Sequence, residues 1–412
     1  MRGLLALTMA SLAFSATTVA ALGLEDLRIG LFTALVMALA VGGLMLRPHF
    51  ASRDRAAPVL AGWLLALLAL ASQLTPLGAA ASPLDYKIAL PIIALLLAPN
   101  IRAAVGDVDL ARFVLRAGTL YVLLTASLAL ALPSAVMLRN AAADVRVDVT
   151  GSVILHASLC TIVLLAAAAA LRRASTTLQR LGLVLTAVAA AWMVMLSGTR
   201  SSILAVVLFA GLWAVAGRLG EIARPRVIGL GLAVALGFIA LSLLTSDTIW
   251  ARLTAIGQDG YSSGRGPSIG HWLGLAAGEP FGLGIGAVRA MLAHGRPIIA
   301  GGHLLEWPHN EFVRFYVEGG IPGITIVLIL VLEVARRCLR RARCTPDPLE
   351  RALLLAITAD MIVQCLLQNY FNSVYHATVL LLLVGMMAAA EDERERLARP
   401  AVAPSRAAGR PA

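Results

Sequence analysis

The chain alternates long apolar runs with short polar punctuation. Runs with few or no charges fall at Gly3–Leu24, Ile29–Leu46, Ala56–Thr75, Ile88–Ile101, Ala117–Leu138, Val149–Leu171, Leu181–Thr199, Ser201–Gly217, Val227–Ser246, Phe312–Leu332, Ala352–Gln368 and Ser373–Ala390. A helix needs about 20 such residues to cross a bilayer. The pattern therefore predicts an all-α polytopic membrane protein with about twelve transmembrane helices. Two runs are atypical: Ile88–Ile101 needs Pro83–Lys87 to complete it, and Phe312–Leu332 carries Arg314 and Glu318 in its first turns. Nine helices fall in 1–246 and three in 312–390, divided by a loop over 247–311. The tail 391–412 is charged and then rich in Ala, Pro and Arg, a composition that predicts disorder.

Composition excludes a soluble protein. Hydrophobic residues make up 59% and charged ones 14%, against roughly 45–50% and about 25% in soluble chains. The formal charge of +11 comes from 34 basic and 23 acidic residues, and Lys87 is the only lysine. In a soluble chain that surplus would suggest nucleic acid; in a membrane chain it first suggests orientation, because cytoplasmic loops collect Lys and Arg. With an even number of spans and both termini inside, 24 of the 34 basic residues fall on the cytoplasmic side. Gly3–Leu24 reads either as a signal peptide after Arg2 or, by its length, as a retained anchor. Cleavage would leave the sidedness of the later spans unchanged. Cys160 and Cys365 lie in spans and Cys338 and Cys344 in a reducing compartment, so no disulfide is expected.

The loop Asp247–Glu311 has 65 residues, 13 of the 36 glycines among them, and is far longer than an ordinary connection. Extended to Tyr316 it carries Trp250, Tyr261, Trp272, Phe281, Trp307, Phe312, Phe315 and Tyr316, which either stack on sugar rings or form an interfacial belt. Short helices are predicted at Ser268–Ala277 and Ala287–Ala293. Between them Gly282, Gly284 and Gly286 suit a tight backbone turn better than a phosphate loop, since no strand precedes them.

Several residues could carry chemistry. Arg200, in Ser197-Gly-Thr-Arg-Ser-Ser202, is an outer cation that either binds an anionic partner or snorkels to lipid phosphate. Arg265, in Tyr261-Ser-Ser-Gly-Arg-Gly-Pro267, is either a phosphate ligand of the planar, paired kind that arginine makes or a solvated loop charge. His309, in Trp307-Pro-His-Asn-Glu-Phe312, is either a base for a hydroxyl proton or a histidine serving backbone groups at a helix start. Asn310 is a plausible cap and Glu311 falls in the first turn. His303, Glu306, Glu311, Arg289, Asn310 and Trp307 are possible lining residues. The spacings of His294, His303 and His309 match no compact metal pattern, so no metal is expected. Asp360 and His156 are ionisable groups within spans, read either as a transporter's proton relay or as a buried polar pair fixing helices, with Gln364 and Gln368 nearby.

These motifs resemble the O-antigen ligase family of bacterial inner-membrane proteins, which also holds O-antigen polymerases and oligosaccharide transferases acting on proteins. The resemblance runs through Ser197-Gly-Thr-Arg-Ser-Ser202, Pro280-Phe-Gly-Leu-Gly-Ile-Gly286, His309-Asn-Glu-Phe312 and Glu318-Gly-Gly-Ile-Pro-Gly323. It implies a C-type membrane glycosyltransferase without metal or cofactor. Such an enzyme moves a glycan from undecaprenyl pyrophosphate to a sugar hydroxyl of lipid A–core at the periplasmic face. By motif, Arg200 and Arg265 would hold the pyrophosphate and His309 would activate the acceptor. The implied partners are the lipid-linked donor, the lipid A–core acceptor and membrane lipids, with no nucleic acid. A polymerase of the same family, or a transporter or flippase of a lipid-linked glycan, are the alternatives.

Overall fold

A computed structural model describes residues 1–13, 25–46, 55–75, 77, 83–106, 108–132, 137–139, 145–147, 152–218, 265–293, 295 and 307–398. The helices are α1 (Arg2–Ala13), α2 (Glu25–Leu46), α3 (Ala56–Ser72), α4 (Ala89–Val105), α5 (Leu110–Ala131), α6 (Val153–Ala170), α7 (Thr177–Ser197) and α8 (Arg200–Trp213). After them come α9 (Arg265–Leu275), α10 (Ala287–Ala293), α11 (Glu311–Cys344), α12 (Pro348–Leu367) and α13 (Val374–Ala398). Short helical turns at Pro83–Tyr86 and Tyr370–Asn372 precede α4 and α13.

By length and composition four segments can cross a membrane: Leu110–Ala131, Val153–Arg173, Thr177–Ser197 and Glu311–Cys344. Shorter apolar helices lie at Leu31–Leu46, Ala56–Ser72, Ala89–Val105, Ser201–Ala216 and Val374–Ala389. The expected span Val227–Ser246 lies outside the described residues, as does most of Asp247–Glu311 before Arg265.

Three expectations need correction. The helix expected at Ala117–Leu138 runs Leu110–Ala131, because the Asp109 side chain accepts the Arg112 N–H and caps the chain before its two arginines. Beyond it, Met137–Arg139 pairs antiparallel with Val145–Val147, Leu138 opposite Arg146, so the architecture is helical with one short ribbon. The tail expected from residue 391 begins as helix instead, and α13 continues to Ala398. Glu, Arg, Leu and Ala are good helix formers, so charge alone did not end it.

The packing is layered around α12, which is buried along nearly its whole length. It lies against α6, α8 and α11. Asp347 caps it by accepting the Leu349 N–H, and Pro348 occupies the first turn, where no donor is missed. On the other flank α4 packs against α2 and α13, where Ala98 of α4 meets Gly385 of α13. Small residues of this kind let membrane helices approach closely. At the α11–α12 turn, Arg337 is buried on Glu333 at 2.6 Å, and Arg341 grips Glu350 at 2.9 Å. Arg351 donates to the carbonyls of Ala342 and Thr345. Some of the basic residues expected on the cytoplasmic side therefore also hold this turn together.

Candidate functional site

The site is built where the loop helices meet α11. Helix α11 is broken at Gly320, whose backbone is left-handed at φ 57, and is followed by Pro322. Pro322 has no N–H, so the Glu318 carbonyl loses its normal helical donor. Gly284 supplies one at 3.1 Å. Ile321 N–H turns to the Pro280 carbonyl at 2.9 Å, and the Val317 carbonyl thus freed accepts Leu283 N–H at 2.7 Å. These three backbone groups at the break are satisfied by the stretch Pro280–Gly286. The approach is so close that a Cβ on Gly320 would collide with the Pro280 carbonyl, and one on Gly282 with the Gly319 backbone.

Two further ties fix this stretch. Ile285 N–H donates to Ser72 Oγ at the end of α3, at 2.8 Å. Arg289 of α10 forms a forked pair with Asp85, its Nε and Nη2 at 2.8 and 2.6 Å from the two carboxylate oxygens. Those hydrogen bonds hold the Arg289 proton more tightly than usual. Trp272 of α9 is fully buried in an apolar cluster with Val288, Val313 and Val317, so α9, α10 and α11 share one core.

Beneath that seam lies a buried ionic group. Arg314 is 4% exposed and sits 3.2 Å from Glu311 and 3.4 Å from Glu318. Its guanidinium lies 5.8 Å from the Trp307 ring centroid and 5.3 Å from that of Phe315. Asp85 and Lys87 interact electrostatically with Arg314 and Glu318. Burial pushes Lys87 down to about 8, Arg314 pushes the same way, and Glu311, Asp85 and Glu318 oppose them. With Arg289 there are three cations and three carboxylates, a balance that makes burial of so many charges tolerable. One oxygen each of Glu311 and Glu318 has no hydrogen-bond partner.

His309 lies two residues before Glu311 in the chain, where the polypeptide enters α11. It is the single non-glycine residue with positive φ, at 41°, among the described residues. Histidine tolerates this region better than most side chains, yet it remains uncommon, and such backbone clusters at functional positions. The next residue, Asn310, caps α11 by accepting the N–H groups of Phe312 and Val313 at 3.0 and 3.1 Å. Its Nδ2 donates to the Leu366 carbonyl at the end of α12. Trp307, His309, Asn310 and Glu311 are thus gathered at one junction, and Arg289 joins them through Asp85 and Arg314. Of the remaining candidates, Arg200 opens α8 after the left-handed Gly198 that ends α7, and Arg265 opens α9. The side chains of Arg200 and Arg265 lie outside the described residues, as do His303 and Glu306.

Asp85 was not legible as a site residue, and Arg314 and Glu318 drew attention only as charges in an apolar run. Their spacing from Glu311, three and seven residues on, puts all three on one helix face, which is the signal that could have found them. The expected pairing of Asp360 with His156 needs correction. His156 Nδ1 bonds Tyr121 OH at 2.6 Å, whereas Asp360 accepts from Ser158 at 2.6 Å and from Gln364 at 3.3 Å and meets His376 at 3.5 Å. Both residues lie on helices, but each helix presents its residue to a different neighbour. Gln368 ends α12 through its backbone instead of joining Asp360.

Apolar helices too long and too exposed for water, broken around a charged junction fed by a loop, define a multi-pass membrane protein with a site at one end of its bundle. Residues 185–328 match the family model described as O-antigen ligase. That family comprises glycosyltransferase-like ligases and polymerases working on lipid-linked glycans in a membrane setting. The matched segment takes in the turn before α8, both loop helices, His309 and the break at Gly320. No curated protein matches the chain.

Proposed function

We propose that this protein is an O-antigen ligase transferring a glycan from undecaprenyl pyrophosphate to a sugar hydroxyl of lipid A–core at the periplasmic face. The observation that carries the reading is His309 in a left-handed turn at the entrance of α11, inside the matched family segment. In the proposed step the acceptor oxygen attacks the anomeric carbon and its proton passes to His309. The anomeric C–O bond breaks and its electron pair leaves on the pyrophosphate. Attack opposite the leaving group inverts the anomeric centre. Arg200 and Arg265 are proposed to hold the pyrophosphate and offset its growing charge, work that fixed donors do best where water is scarce. That assignment rests on sequence motifs.

The test is transfer by purified full-length protein from a lipid pyrophosphate donor to rough lipopolysaccharide. His309→Ala is expected to lower the rate by about 10²–10⁴, the usual contribution of a general base. Transfer at the parent rate would remove His309 from the role. A polymerase would instead extend the lipid-linked glycan in the same assay. A transporter would lose function with Asp360→Asn and keep it with His309→Ala; the separation of Asp360 from His156 does not favour that reading.

A further inference from the structure

His309 stands between two fixed neighbours. Pro308 before it is buried, and a proline ring holds φ at about −65°. Trp307 packs on the apolar cluster of Trp272, Val313 and Val317. After His309 comes Asn310, extended at φ −155 and ψ 118. Its one amide group is bonded on both sides: Oδ1 accepts the N–H groups of Phe312 and Val313 at 3.0 and 3.1 Å, and Nδ2 donates to the Leu366 carbonyl at 2.9 Å.

A helix cap needs only an acceptor, which Asp, Ser and Thr also supply. The donor half of the amide has another use. Leu366 lies in the last turn of α12, where carbonyls have no partner in their own helix, so Asn310 fastens the start of α11 to the end of α12. Glu311 adds a second fastening, because its carboxylate accepts the Phe371 N–H beyond α12 and an Arg314 Nη1 hydrogen at 3.2 Å. A left-handed backbone such as that of His309, at φ 41, persists only where its surroundings over-determine it. Asn310 supplies that constraint from the peptide directly after His309.

We propose that Asn310 is a positioning residue for His309: its bond to Leu366 holds the left-handed turn, and with it the imidazole, in one place relative to α12. The inference rests on the reading of His309 as the base for transfer. A general base works only within about 2.6–3.2 Å of the proton it takes, and a misplacement of about 1 Å can cost about a hundredfold in rate. Loss of the tie therefore slows the chemical step and leaves substrate binding alone.

The experiment uses the full chain in lipid nanodiscs with Asn310→Ser, which keeps a cap acceptor and is too short to reach Leu366, alone and combined with His309→Ala. Asn310→Asp, equal in size but without the donor, is the second variant. For each, kcat and KM are measured for donor and acceptor, with the melting temperature beside them. Both single variants are expected to lower kcat by about 10–100-fold, to leave KM for both substrates near the parent value and to melt close to the parent. In the His309→Ala background Asn310→Ser should cost nothing further, because a residue that acts only through the imidazole has nothing left to position. Parent kcat in both variants, with His309→Ala impaired, overturns the positioning role and leaves the base standing. An equal loss in the two backgrounds, or a melting temperature that falls in step with kcat, makes Asn310 a structural cap alone and also overturns it. His309→Ala at the parent rate sinks the base reading and the positioning role with it.

Discussion

Lys87 shows how one side chain can report on its surroundings. Its pKa falls from 10.5 to about 8 because burial disfavours the ammonium. Between those two values the unfolded chain binds more protons than the folded one, so stability rises with pH across the window. The penalty is fully present below about 8 and is relieved as the pH approaches 10.5. Lys87→Gln removes the titrating group. The parent should therefore gain melting temperature relative to Lys87→Gln between pH 7.5 and pH 10, and parallel curves would place Lys87 in water. Arg289 differs in kind, since its charge is already secured by Asp85 and stays constant over the same range.

At the scale of elements, the break in α11 makes Gly320 irreplaceable for two separable reasons: its left-handed backbone and the Pro280 carbonyl where a Cβ would sit. Gly320→Ala should cost roughly 2–4 kcal/mol from backbone strain and overpacking together. Gly182→Ala is the contrast. Gly182 lies on the exposed face of α7 with nothing within 4 Å of a new Cβ, and in a helix that exchange gains about 0.8–1 kcal/mol. Melting curves of the two variants should shift in opposite directions.

The same element shows what the sequence could and could not say. The apolar run Phe312–Leu332 announced a helix, and the Gly-Gly-Ile-Pro-Gly string within it announced trouble with its backbone. That Pro280–Gly286 would satisfy the opened carbonyls follows from a contact between segments more than 30 residues apart, which periodicity does not encode. The same limit hid Asp85, whose role depends on meeting Arg289. It also hid His376, which shares Asp360 with Ser158 across three helices. Local signals were reliable where one face meets lipid or one cap closes a helix, as at Asn310. They failed at Met137 and Leu138, apolar residues expected to end a helix that instead begin a ribbon.

For the whole molecule, the outward side chains of α7 identify its solvent. Leu178, Leu181 and Leu185 are 80%, 62% and 58% exposed, and Leu120 and Leu130 of α5 are similarly bare, a surface that lipid covers and water does not tolerate. Beyond its break at Gly320, α11 runs from Ile321 to Cys344, about 36 Å at 1.5 Å per residue, against a hydrocarbon core of about 30 Å. Its ends must therefore emerge on opposite faces. The distribution of basic residues along the sequence predicts that the Cys344 end faces inward. A thiol reagent that cannot cross membranes should label Glu279→Cys, in a Cys344→Ser background, on intact spheroplasts, since Glu279 is exposed beside the seam. It should reach Cys344 of the parent only after permeabilisation. The opposite labelling would invert the topology and with it the assignment of the periplasmic face.

The seam between Pro280–Gly286 and the break in α11 also fixes chain length. Leu283, Gly284 and Ile321 take their partners in register, and Arg289 and Asp85 close the far end. One residue added or removed between Gly282 and Gly286 would slide each donor past its carbonyl and carry Arg289 away from Asp85. A tag or a foreign epitope inserted within this stretch should therefore unseat the seam.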